Sequence, residues 1–375
     1  MTAPVRPARI SFLDKYIPVW IILAMALGLL LGRGIPGLAP FLGSMEVGGI
    51  SLPIALGLLV MMYPPLAKVR YDKTREITSD KRLMSVSLLL NWLVGPALMF
   101  ALAWTFLPDE PELRTGLIIV GLARCIAMVL VWSDMSCGDR EATAVLVAVN
   151  SVFQVLMFGV LGWFYLQVLP SWLGLETTSA EFSFWAIVTS VLVFLGIPLL
   201  AGVLSRIIGE KAKGRTWYES KFIPAISPLA LIGLLYTVVL LFSLQGEAIT
   251  SNPWAVARLA VPLLIYFVGM FAISLAASRA SGMNYAQSAS VSFTAAGNNF
   301  ELAIAVSIGT FGATSGQALP GTIGPLIEIP VLVGLVYVIR RLGPLLFPGD
   351  PTLPPGTASS SDPVPSPTIT EHTIP

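Results

Sequence analysis

The chain has 375 residues, 55% of them hydrophobic and only 11% charged, with a formal net charge of +1. At a mean hydropathy of +0.81 it carries more apolar surface than a soluble core can hide, so it reads as a polytopic membrane protein, and the near-neutral charge gives no basic footprint for nucleic acid. Two cysteines and a single histidine, His372 near the C-terminus, exclude a disulfide framework, a His/Cys metal cage and a membrane-embedded Ser/His or Cys/His hydrolase, and no cofactor is expected.

A basic, proline-containing leader, residues 1–15, runs without an evident cleavage site into the first apolar segment, which reads as a retained helix. Crossing the hydrocarbon core takes roughly 20 apolar residues. Ten segments near that length follow in order: Tyr16–Leu31, Ile50–Leu66, Leu83–Leu107, Thr115–Met135, Ala142–Leu169, Phe184–Ile208, Pro224–Leu244, Ala255–Ala277, Gln287–Phe311 and Pro320–Leu342. The expected fold is therefore all-α, with ten transmembrane helices. Of the 22 lysines and arginines, all but Arg33, Arg114, Arg258 and Arg124 fall on one side of this alternation. The positive-inside rule makes that side, and both termini, cytoplasmic. Two basic loops, Lys68–Arg82 and Glu210–Lys221, follow the second and sixth spans.

Five spans in residues 16–169 and five in 184–342 form two halves, and an odd number of helices forces the halves into opposite orientations. That is the inverted-repeat plan of secondary transporters, in which the site lies near the midplane on helices broken at corresponding positions. The fourth span of each half holds the polar interruption: Arg124-Cys125 in the first, Gly297-Asn298-Asn299 in the second. Residues 343–375, rich in Pro, Ser, Thr and Gly from Gly349 onward, are expected to be a disordered cytoplasmic tail.

Charge inside a bilayer is costly and marks function. Arg124 is such a charge, and beside it Cys125 offers a soft ligand whose reactivity a cation can raise. Neighbours on a regular helix do not share a face, so Arg124 acts on this thiol only where the helix unwinds. Otherwise Cys125 is a small buried hydrophobe and Arg124 pairs elsewhere. Glu301, a lone carboxylate in a span, is the proton-carrier candidate and equally an ion-pair partner for Arg124. Glu328, between Pro325 and Pro330, competes for that pairing and otherwise supports the polar core. Asn298 and Asn299 suit a broken helix facing a polar cavity. Asn150 and Gln154, at i and i+4, place two amides on one helix face and read as interhelical hydrogen bonds. Cys137 lies about 18 Å along an unbroken helix from Cys125, too far to share a ligand.

In GLARCIAMVLVW (Gly121–Trp132) and NNFELAIAV (Asn298–Val306), together with MEVGGISLPIALGLLVMMYPPLAKVRY, SLLLNWLVGP, AVNSVFQ, LLFSLQGE and GPLIEIPVLVGLVYV, the chain resembles the arsenite-efflux permeases of the arsenical-resistance type, within the bile acid/arsenite/riboflavin transporter superfamily. The resemblance covers nearly everything but the two tails. It implies inverted five-helix repeats with helices 4 and 9 unwound and crossing, and export of trivalent arsenic, in some members antimony, against protons across the cell membrane. It places the essential thiol on Cys125 and the essential carboxylate, here the proton carrier, on Glu301. Arsenious acid is small, neutral and thiophilic, so one thiol with polar neighbours can recognise it, and the expected substrate site is Cys125 with Asn298, Asn299 and Arg124. Ser133 stands where the family pattern has an asparagine and Gly297 where it has a serine, positions that bear on the choice between arsenite and antimonite. The expected partners are thus arsenite, protons and the lipid bilayer. Two alternatives stand beside this reading: within the same class, a sodium-coupled organic-anion carrier of the same superfamily, and from another class a membrane sensor or enzyme, against which stands the lack of a membrane histidine and of a sizeable soluble domain.

Overall fold

The computed structural model describes residues 17–35, 37–47, 50–69, 80–126, 128–175, 183–251, 253–312 and 315–354. Helix α1 (Ile17–Gly34) leads through a short helix α2 (Leu38–Ser44) and a two-stranded antiparallel ribbon, β1 (Glu46–Val47) and β2 (Ile50–Ser51), to α3 (Leu52–Lys68). Then come α4 (Lys81–Phe106), the half-helices α5 (Pro111–Leu122) and α6 (Met128–Met135), α7 (Arg140–Trp172), α8 (Phe184–Lys213), α9 (Ile223–Ser251) and α10 (Pro253–Ala280). The half-helices α11 (Tyr285–Ala296) and α12 (Phe300–Phe311) and the last helix, α13 (Leu319–Leu346), complete the order. Apart from the ribbon the described chain is helical, as the composition requires. Six helices among the described residues are long and apolar enough to cross a membrane, and α3, α12 and residues 19–34 are shorter apolar helices. The chain is a polytopic membrane protein.

Proline sets the irregularities of the long helices. Each of four π-helical turns, Leu90–Val94, Phe164–Val168, Leu192–Gly196 and Tyr218–Phe222, ends two residues before a proline: Pro96, Pro170, Pro198 and Pro224. A proline has no N–H for the carbonyl four residues back, and its ring crowds that carbonyl. The ladder therefore slips by one residue instead of breaking.

Helix α9 lies along α1 and α3, and the second half of α8 packs on α3. The approach of α1 to α9 is close enough to require glycine: a Cβ at Gly28 would lie 2.6 Å from the Val239 carbonyl, and Ser243 Oγ donates to the Gly28 carbonyl at 3.1 Å. A second bundle forms where α10 packs on α11 and α13 and where α4 packs on α5, while the first half of α8 touches α7 and α12. The outer surface is apolar, with Leu156 67% and Leu345 76% exposed, and Trp172, Trp185 and Trp254 stand out at helix ends, where amphipathic rings sit at a membrane interface.

Two stretches depart from the sequence reading. The expected basic loop Glu210–Lys221 is mostly helical: Arg206 pairs with Glu210 at 3.3 Å and Arg215 with Glu219 at 3.2 Å, each one turn on, and Arg206 reaches Glu219 at 3.3 Å across the Gly214 turn. The tail expected to be disordered from residue 343 instead continues α13 to Leu346 and folds back. Asp350 Oδ2 accepts the Tyr285 N–H at 2.7 Å, and Thr352 Oγ1 accepts that of Ala286 at 3.2 Å. A helix start has orphan N–H groups, and a remote carboxylate satisfies one of them here. Burial opposes the Asp350 charge, yet the hydrogen bonds from Thr352 and Tyr285 hold its carboxyl below the usual range. The N-terminal segment 1–15 and residues 355–375 lie outside the described residues.

Candidate functional site

The fourth and ninth predicted spans are each broken in the middle, and the breaks meet. Half-helix α5 ends at Leu122 and α11 at Ala296; two residues beyond each end, Arg124 and Asn298 pair as an antiparallel bridge. Cys125 N–H donates to the Gly297 carbonyl at 3.3 Å and Asn299 N–H to the Ala123 carbonyl at 3.1 Å. Backbone that leaves a helix at membrane depth must find other partners. The two unwound segments supply them to each other.

Side chains complete the accounting. Asn298 Nδ2 is a second donor to the carbonyls of Val120 at 2.8 Å and Ala123 at 3.1 Å, beside the N–H groups of Ala123 and Asn299 that they already accept. Asn299 Oδ1 accepts the Leu302 N–H at 3.0 Å and so starts α12 as its N-cap. Glu328 of α13, 4% exposed, accepts the Asn298 N–H at 3.0 Å. Gln154 of α7 grips the other segment: its Oε1 accepts the Arg124 N–H at 2.8 Å and its Nε2 donates to the Arg124 carbonyl at 3.1 Å. Asn150, one turn earlier, accepts from Trp92 Nε1 of α4 at 3.0 Å, an interhelical bond as the spacing indicated.

A cavity of about 30 Å³ lies beside the crossing, between the two bundles. Cys125, Asn298, Asn299, Glu301 and Glu328 line it from one side, and Met61 and Met62 of α3, Ile21 of α1 and Leu234 of α9 from the other. Cys125 is 3% exposed, and Glu301, at the first turn of α12, is half-buried. The sequence-predicted thiol, carboxylates and asparagines are thus brought together. Gly297 stands among them: a Cβ there would lie 3.1 Å from Cys125 Cβ and 3.3 Å from Glu328 Oε1.

Arg124, expected with the substrate or paired to a carboxylate, does neither among the described residues. Its guanidinium is fully buried behind the crossing and donates to Tyr266 Oη at 2.9 Å, to the Ala295 carbonyl at 3.3 Å and to the Gly121 carbonyl. Ser133 is likewise turned away from the cavity, bonding Thr143 Oγ1 at 2.7 Å and Ser290 Oγ at 3.2 Å. Cys137 sits in the turn after α6 with a φ of 60° and does not line the cavity. Tyr266, Met61 and Met62 went unread because a tyrosine or methionine in an apolar run carries no sequence signal of its own. No group of three or more His, Cys, Asp or Glu side chains among the described residues could hold a metal ion.

Residues 55–252 match the Sodium Bile acid symporter family. The chain belongs to that family. An arsenical-resistance protein Acr3 of Corynebacterium glutamicum is 83% identical over 95% of this chain and 96% of that protein. A protein of the same description from Alkaliphilus metalliredigens is 31% identical over 88% of this chain and 93% of its own length. An uncharacterized transporter of Synechocystis sp. is 34% identical over 91% and 92%. Family membership makes the chain a transporter and not an enzyme.

Proposed function

We propose that this protein is a secondary transporter of the cell membrane that exports trivalent arsenic in exchange for protons and thereby confers arsenic resistance. The observation that carries the proposal is Cys125, held by a broken helix crossing against a cavity between two bundles, in a chain 83% identical to an arsenical-resistance protein. Its topology is ten spans in two inverted five-helix repeats, 16–169 and 184–342, with both termini cytoplasmic. The equal 12-residue half-helices α5 and α11, ending in an antiparallel bridge, support that plan.

Arsenious acid is small, neutral near pH 7 and thiophilic. Binding forms an S–As bond as one As–O bond breaks, and the thiol proton leaves with that hydroxyl as water; release is the reverse. The amides of Asn298 and Asn299 orient the remaining hydroxyls. Glu301 faces the same space and carries the coupling proton: unprotonated when the site faces the cytoplasm, protonated from outside, where its neutral form weakens binding. Antimonite shares this chemistry and is the second substrate. Movement of the bundle containing the crossing against α1, α3, α8 and α9 exposes the seam alternately to the two sides.

The test is proton-driven arsenite uptake into everted vesicles. Wild type accumulates arsenite, and Cys125→Ser and Glu301→Gln do not; robust transport by either variant removes that residue from its role. The family's sodium-symporter description favours a second reading, a sodium-coupled organic-anion carrier. Sodium-dependent uptake indifferent to thiol modification would establish it instead.

A further inference from the structure

We infer that Arg124 is a tethered cation that fills, between the C-terminal ends of the two half-helices, the kind of position in which broken-helix transporters hold a coupling cation, which frees this protein from sodium. The inference rests on the transporter reading above and extends it to the identity of the coupling ion.

The geometry is specific. Gly121 is the penultimate residue of α5 and Ala295 the penultimate residue of α11, and their carbonyls are the free ends of two helix dipoles that converge from opposite directions. Each such end carries about half a negative charge and lacks an intrahelical donor. In transporters with broken helices, half-helix C-termini and unwound carbonyls are the groups that coordinate a coupling cation. Here one guanidinium reaches a last-turn carbonyl of each half-helix, with Tyr266 Oη of α10 as a further acceptor at 2.9 Å. Gly95 of α4 closes the chamber, since a Cβ there would lie 2.8 Å from Arg124 Nη1. Arg124 is 0% exposed and has no salt bridge among the described residues, so what balances its charge is this set of carbonyl and hydroxyl oxygens. Carbonyl and hydroxyl oxygens are also the ligand type that hard cations take. A fixed cation in such a chamber leaves neither the room nor the negative field for sodium.

The arginine is thus a positioning residue. It joins the two half-helices without touching the substrate cavity, and its charge is what the joint requires. The experiment uses the full chain, both in detergent and in everted vesicles, as wild type, Arg124→Ala, Arg124→Lys and Arg124→Gln. Wild type is expected to transport arsenite equally in sodium and choline media. Arg124→Ala is expected to lose about 100-fold in rate, as displaced groups do, and to regain several-fold, with a raised melting temperature, when methylguanidinium or sodium replaces choline. Arg124→Lys, which restores a cation, should transport better than Arg124→Gln, which restores only donors.

Indifference of folded Arg124→Ala to both cations overturns the inference, as does a glutamine variant that equals or exceeds the lysine one. If Arg124→Ala does not fold, the Lys–Gln comparison decides alone. Melting temperature needs no arsenite, so a wild type that fails to export arsenite defeats the proposed function while the cation dependence of the variants still tests this inference.

Discussion

Gln154 and Arg124 are joined through both hydrogen-bonding groups of one peptide residue: the amide oxygen of Gln154 takes the Arg124 N–H, and the amide nitrogen serves its carbonyl. Helix α7 thereby supplies, from a side chain, the two partners that unwinding removed from the backbone. Both atoms are buried, and an unmet donor or acceptor there costs about 1–3 kcal/mol. Gln154→Leu should lower the melting temperature and the arsenite transport rate together, and Gln154→Asn, one methylene short, should fall on the same side. Equal stability of wild type and Gln154→Leu would mean that the unwound segment is held by its pairing with Gly297 and Asn299 alone.

How much of this was legible depended on whether a residue breaks its local pattern. Arg124 and the Asn298-Asn299 pair are polar groups in lipid-like runs, and each lies where a helix ends. The i to i+4 spacing of Asn150 and Gln154 put both amides on an interior face, but spacing could not show that one bonds a tryptophan and the other a backbone. The direction of Arg124 was hidden for a similar reason: sequence shows a charge in need of partners, and carbonyls are present everywhere. Tyr266 looks like any aromatic residue in an apolar helix. The fold-back of Asp350 and Thr352 was obscured because proline and serine dominate that composition, while two side chains suffice to cap a helix start.

Glu328 accepts the Asn298 N–H at 3.0 Å from a neighbouring helix. A glutamine keeps an oxygen for that bond and a leucine does not. Glu328→Gln is therefore expected to melt near wild type and Glu328→Leu to be less stable by about 1–3 kcal/mol, the cost of stranding a buried N–H. Thermal unfolding of the purified variants measures the difference. Equal losses in both would assign the stabilising effect to the carboxylate itself.

At the other end of α4, Arg258 holds Asp109 bidentately and donates to the Phe106 carbonyl at 3.0 Å. The hydrogen bonds from Arg258 lower the Asp109 carboxyl from the ordinary 3.8 to about 2. A depressed folded-state value means that the stabilisation is complete above the unfolded value and vanishes as pH falls through the folded one. Arg258→Gln should therefore be less stable than wild type at neutral pH, and the gap should close between pH 3.8 and about 2. Melting temperatures of both proteins across that window test it; a gap independent of pH would assign the effect to the Phe106 contact.

Gly297 sets the space available at the thiol. A Cβ added there would lie 3.1 Å from Cys125 Cβ and 3.3 Å from Glu328 Oε1, tighter than ordinary contact on both sides, so a larger residue must push these groups apart or crowd what binds between them. Its φ of −74° is open to any residue, so Gly297→Ser changes the space without straining the backbone. Antimony is larger than arsenic, and a crowded thiol discriminates more strongly against the larger centre; one methylene's worth of fit in a pocket is worth about 1–3 kcal/mol. Gly297→Ser is therefore expected to reduce antimonite transport more than arsenite transport, by a ratio of roughly 10-fold or more on that scale. Parallel vesicle assays with the two metalloids read the ratio, and an unchanged ratio would show that Gly297 does not set the width of the site.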